Sequence, residues 1–90
     1  MKTYIITTEI NDATRLSQVE EQLKKESGYY CPIHKNAWAI KSEKSAAELR
    51  DELMKFIPNP DRLFIIRSGT EAAWTNAYGE ENSEWLKKYL

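Results

Sequence analysis

The sequence predicts an α+β domain in the order βαββαβ, followed by a late strand and a short C-terminal helix. Three observations predict it: apolar β-prone runs at Thr3–Thr8 and Leu63–Ile66, two stretches with apolar residues three and four apart, and a capping box at Ser45–Glu48. Ninety residues are too few for two ordinary domains, so residues 1–90 are read as one domain, with 69–90 as a C-terminal extension at a dimer interface. A chain this short buries only about 60–65% of the surface its unfolded form exposes, and a second subunit would add apolar contact.

The first strand, Thr3-Tyr4-Ile5-Ile6-Thr7-Thr8, carries apolar side chains on both faces, as a central strand does, and ends near Glu9. Leu16, Val19 and Leu23 then share one face of a helix over about 13–27. Asp12 can cap it, Ser17-Gln18-Val19-Glu20 offers a second start, and Gly28 supplies its end. Tyr29 to Ile33 reads as a strand in which Pro32, lacking a ladder N–H, calls for a bulge or an edge position. After the turn His34-Lys35-Asn36, residues 37–42 alternate with Trp38 and Ile40 on one face and close a hairpin.

Ser45 and Glu48 open a second helix, about 46–57, with Leu49, Leu53 and Phe56 on one face and Pro58 beyond its end. Pro58-Asn59-Pro60-Asp61 reads as a stiff turn before the strand Leu63–Ile66. Alternation of Trp74, Asn76 and Tyr78 favours a short fifth strand ending at Gly79, with a helix as the alternative. Asn82 or Ser83 can cap a last helix, 83–90.

This order is the ferredoxin-like split βαβ arrangement, which sets strands one and three side by side and both helices on one face. The other sheet face stays open, with Tyr4, Trp38 or Phe64 expected on it. Such an aromatic face serves as a nucleobase platform or a dimer interface.

Charge and composition exclude several classes. Thirteen basic against fourteen acidic residues leave a net charge of −1, incompatible with a polybasic nucleic-acid coat or an acidic tail. One cysteine forms no internal disulfide, no apolar run approaches the roughly 20 residues of a membrane span, and the start of the chain lacks a signal-peptide pattern. A cytoplasmic protein without membrane contact is expected. Residues 35–67 carry seven basic and five acidic groups, so Lys35, Lys41, Arg62 and Arg67 are the candidate phosphate-binding residues. Tyr29, Tyr30, Trp74, Tyr78, Trp85 and Tyr89 fall outside the expected core and suit an interface.

Ile5-Ile6-Thr7-Thr8-Glu9, Trp38-Ala39-Ile40-Lys41, Ser45-Ala46-Ala47-Glu48-Leu49 and Leu63-Phe64-Ile65-Ile66 together span most of the chain. In these segments the chain resembles the small ferredoxin-like proteins around the second core CRISPR adaptation subunit and the virulence-associated protein D toxins, with its closest likeness in the SinR-like group. The resemblance implies a homodimer whose first strands approach a two-fold axis, a late strand completing the partner's sheet, RNA or DNA as partner, and, in nuclease members, an Asp ending strand one that holds a divalent metal. Glu9 stands at that position, a carboxylate one methylene longer.

Mg²⁺ or Mn²⁺ is the implied cofactor, held by a pair of Glu9 residues across the two-fold axis; Asn11 and Asp12 lie close to Glu9 in sequence. Any activity would be that of a metal-dependent ribonuclease or other phosphodiesterase, with Glu9 and His34 as its catalytic residues and His34 or a nearby Lys or Arg steadying the phosphate. Cys31 and His34 make half a zinc site by spacing, completed only across a dimer. The competing reading is a non-enzymatic dimeric interaction or regulatory module on the same fold.

Overall fold

The computed structural model describes residues 1–57, 61–69 and 71–90. The chain runs β1 (Lys2–Glu9), α1 (Ala13–Glu26), β2 (Tyr30–His34), β3 (Ala37–Ser42), α2 (Ala46–Leu53) with a 3₁₀ turn over Met54–Phe56, β4 (Arg62–Arg67) and α3 (Gly79–Tyr89). The four strands form one sheet in the order β2-β3-β1-β4, with every neighbouring pair antiparallel. β1 and β3 are therefore adjacent in the middle, as expected.

Local chemistry explains the helix starts. Asp12 accepts from the backbone N–H groups of Thr14 and Arg15, so it, and not Ser17, caps α1. At α2 the Ser45 hydroxyl accepts from Glu48 N–H while the Glu48 carboxylate accepts from Ser45 N–H, completing the capping box. Hydrogen bonding from Ser45, its backbone N–H foremost and then its side chain, holds the Glu48 carboxyl below its ordinary range. A depressed folded-state value contributes stability above the unfolded value, and that contribution is lost as pH falls through the folded one. We expect Ser45→Ala to cost about 1 kcal/mol in urea unfolding at neutral pH, and the deficit of Glu48→Ala to shrink when the titration is repeated near pH 3.

Side-chain period decides which sheet face meets which helix. Tyr4, Ile6, Trp38 and Ile40 point one way and close a core with Val19 and Leu23 of α1 and Leu49 and Leu53 of α2. Tyr4 and Trp38, expected as candidates for the open face, are 3% and 1% exposed. Their cross-strand partners are Ile40 and Ile6, which belong to the helix-facing rows. Phe64 does lie on the other face, opposite Thr7, and is 61% exposed.

α3 covers half of that other face. Leu86 is buried against Cys31 and Ala39, with Ile5, Ile33, Trp74, Ala77, Trp85 and Leu90 packed around them. The expected fifth strand at 74–78 is absent among the described residues. Asn76, at φ +60°, turns the chain out of extended geometry, and Trp74 Nε1 donates to Ser83 Oγ (3.3 Å), folding the segment back on the helix. α3 consequently begins at Gly79 (φ +83°), earlier than expected, and Asn82 and Ser83 lie inside it. Glu80 and Glu81 in its first turn and Lys87 and Lys88 in its last complement the helix dipole. The turn expected at Pro58-Asn59-Pro60-Asp61 falls, except for Asp61, outside the described residues.

Candidate functional site

β1 delivers Glu9 to the rim of the sheet, directly opposite Arg62 on β4. The two side chains form an ion pair and, with Thr7, Thr8, Leu63 and Phe64, line a shallow cleft. Both are exposed, 61% for Glu9 and 78% for Arg62, so the pair is a solvated one contributing about 0–1 kcal/mol. Behind it the β2–β3 turn is tied to β1. Asn36 Oδ1 accepts from Thr8 Oγ1 (2.7 Å) and from Ile10 N–H (3.3 Å), while Asn36 C=O accepts from Thr8 N–H (2.8 Å).

His34 and Lys35 are exposed at the same end, on β2 and its turn. β3 separates His34 from β1, two strand spacings or about 10 Å, so His34 does not join Glu9 in one reacting group. Asn11 and Asp12 follow the strand, and Asp12 is engaged at the α1 N-terminus and by Arg15. Among the described residues no three His, Cys, Asp or Glu side chains gather to hold a cation. Glu9, with the Arg62 guanidinium on it, is the carboxylate that β1 presents at this rim.

The four candidate phosphate-binding residues do not converge. Arg62 and Lys35 sit at the Glu9 end; Lys41 and Arg67 sit at the opposite ends of their strands, paired with Thr3 and Tyr4. Adjacent residues of β1 face opposite ways, which sends Lys41 to the α3 side and Arg67 to the helix side. Lys41 Nζ lies 4.3 Å from the Tyr89 ring centre and 5.4 Å from that of Tyr29, a cation–π stack that fastens the end of α3 to β3. Tyr29, Trp85 and Tyr89, expected at an interface, thus meet one another within the chain.

Cys31 is fully buried in the α3 half of the core, its Sγ 3.6 Å from Pro32 O and 3.8 Å from Asn82 O. Desolvation pushes its thiol pKa up, which makes it a packing residue and not a nucleophile. His34 is exposed while Cys31 is sealed, so the two do not open onto one cation position.

The feature with the strongest chemical consequence is the part of the sheet that α3 leaves uncovered. Phe64 and Ile66 are 61% and 52% exposed on β4, beside Thr7 and Ile5 of β1. β4 is also the last strand of the sheet. On its outer flank runs a groove lined by Ala46, Ala47 and Arg50 of α2 and Leu63, Phe64 and Ile65. Ile66 stands two residues from Phe64, a spacing that puts both on one face of the strand.

The chain matches no known protein-family model, and no curated protein has significant sequence similarity to it.

Proposed function

We propose that this chain is a homodimeric interaction module with a ferredoxin-like arrangement, working by association and not by phosphodiester cleavage. The strand order β2-β3-β1-β4 with α1 and α2 on one face supports the arrangement. The half-covered sheet face carries the functional reading: two large apolar side chains more than half exposed on one strand, in a protein of 90 residues, mark a contact surface. Light scattering on the full chain at tens of micromolar should give twice the 10.5 kDa chain mass. A monomer at every concentration would remove the proposal.

A nucleic-acid partner is the second reading, favoured by Arg62 and exposed Phe64 lining one cleft, where a guanidinium can meet a phosphate and a ring can stack a base. Only some of the basic side chains share that end, so salt dependence should be shallow. Titration with single-stranded RNA at 50 and 200 mM salt measures the slope, and one contact from Arg62 predicts a slope near −0.7, reduced toward zero by Arg62→Gln. In the same tubes with Mg²⁺ or Mn²⁺, wild type and Glu9→Gln should leave the RNA equally intact. Cleavage by wild type that Glu9→Gln abolishes would restore the metal-dependent nuclease.

A further inference from the structure

The two edges of the sheet are unlike. Ser68 N–H donates to Thr3 C=O (2.8 Å), so on β4 the even-numbered residues aim their backbone groups at β1. Leu63, Ile65 and Arg67 therefore aim theirs outward, along an edge with no neighbouring strand among the described residues. Such a row of free donors and acceptors is a template for another strand.

We propose that two copies of this chain join through β4, antiparallel, about a two-fold axis passing at Phe64, to make one continuous eight-stranded sheet. This rests on the dimeric reading above and places the contact along the edge of the strand that carries Phe64 and Ile66. The register follows from three constraints. Outward-pointing groups must face outward-pointing groups, which pairs odd residues with odd. Residues directly opposed must share a face, which demands the same parity. The exposed Phe64 ring then chooses among the permitted registers.

Centring on Phe64 sets Phe64 against Phe64 of the second copy, Leu63 against Ile65, Arg62 against Ile66, and Arg67 against Asp61. The exposed ring gains an aromatic partner at the centre of the contact. Asp61 precedes the strand, accepts from Arg15 Nε at 3.0 Å and keeps only 9% of its side chain exposed, so the Phe64 pair and not an ion pair sets this register. Shifting the centre to Ile65 would instead oppose Arg67 to Leu63. Ala46 and Ala47, lining the groove beside β4, are small enough to let the second copy approach. In this dimer the two Glu9 side chains stand roughly 20 Å apart, three strand spacings across and about four residues along, so they share nothing.

Cysteine cross-linking reads the register directly. In a Cys31→Ala background, Phe64→Cys occupies a non-hydrogen-bonded pair with Cα atoms about 4.5 Å apart, within disulfide reach, and mild oxidation should link most of the protein as dimer. Ile66→Cys should stay monomeric under the same conditions, its two copies lying about 14 Å apart. Leu63→Cys mixed with Ile65→Cys should link only as the mixed pair, on the helix side of the sheet, which sheets stacked face to face cannot do. Phe64→Lys, at an exposed position that leaves the monomer folded, should weaken dimerisation at least 100-fold. Linking through Ile66→Cys, or failure of the mixed pair while the wild-type mass stays doubled, overturns the β4 pairing and leaves dimerisation standing. A wild-type monomer at all concentrations ends both.

Discussion

Trp38→Ala is expected to cost about 3–5 kcal/mol, enough to bring the domain close to unfolding at 25 °C. Trp38 is 1% exposed, lies on a central strand opposite Ile6, and packs with the α1 and α2 core residues on the helix-facing side. A domain of this length has roughly 5–14 kcal/mol in all, so the loss runs from about a fifth of the total to the whole of it. Removing the indole leaves a hole bounded by both helices and the sheet, which cannot close without moving all three. Urea unfolding followed by circular dichroism gives the number. Tyr78→Ala is the matched control: the ring is 54% exposed, and the change should stay within about 0.5 kcal/mol. Equal losses at the two positions would contradict the burial assignment.

The second large effect is local. Leu86 is the one fully enclosed side chain of α3, and it rests on Cys31 and Ala39. Leu86→Ala should cost about 2–4 kcal/mol, felt first as detachment of α3, since the four strands and two other helices keep their own core. Cys31 reports the event. In wild type its thiol is sealed and its pKa raised, so alkylation at mild alkaline pH should be at least 100-fold slower than in urea. In Leu86→Ala the native-state rate should rise tenfold or more while the far-ultraviolet spectrum stays largely intact. An unchanged labelling rate would mean that α3 is not what protects Cys31.

Much of the fold was legible because the signals were local. Asp12, the Ser45–Glu48 box and the β-prone runs act within a few residues, and the elements they announce lie within a residue or two of expectation. Pro32 calls for a bulge or an edge position, and β2 has both, an edge strand with a register shift between Pro32 and His34. Two things were not legible. Alternation at 74–78 looks the same whether the chain extends or bends, and the bend depends on one positive φ at Asn76 and a bond from Trp74 to a helix nine residues on. Both faces of β1 are apolar, so sequence alone does not say whether Tyr4 and Trp38 or Ile5 and Phe64 look toward α1 and α2.

The candidate site was less legible still, since its content is tertiary. Glu9 and Arg62 are 53 residues apart and meet only because β4 lies beside β1. The basic residues of 35–67 are close in sequence yet divided between opposite ends of the sheet. Composition can say how many charges a segment has; only strand register says where they go.

The bulge in β2 bears on how large any assembly can grow. Lys41 N–H donates to Tyr29 C=O, so on β2 it is Tyr30 and Pro32 that look away from the sheet, and at Pro32 there is no hydrogen to offer. With its ladder interrupted beside His34 and α3 packed against it, that margin is a poor template for a neighbouring strand. A molecule with one receptive margin and one refractory one can terminate a sheet but cannot propagate it. Concentration should therefore drive this protein to a finite, closed species, and not toward fibres.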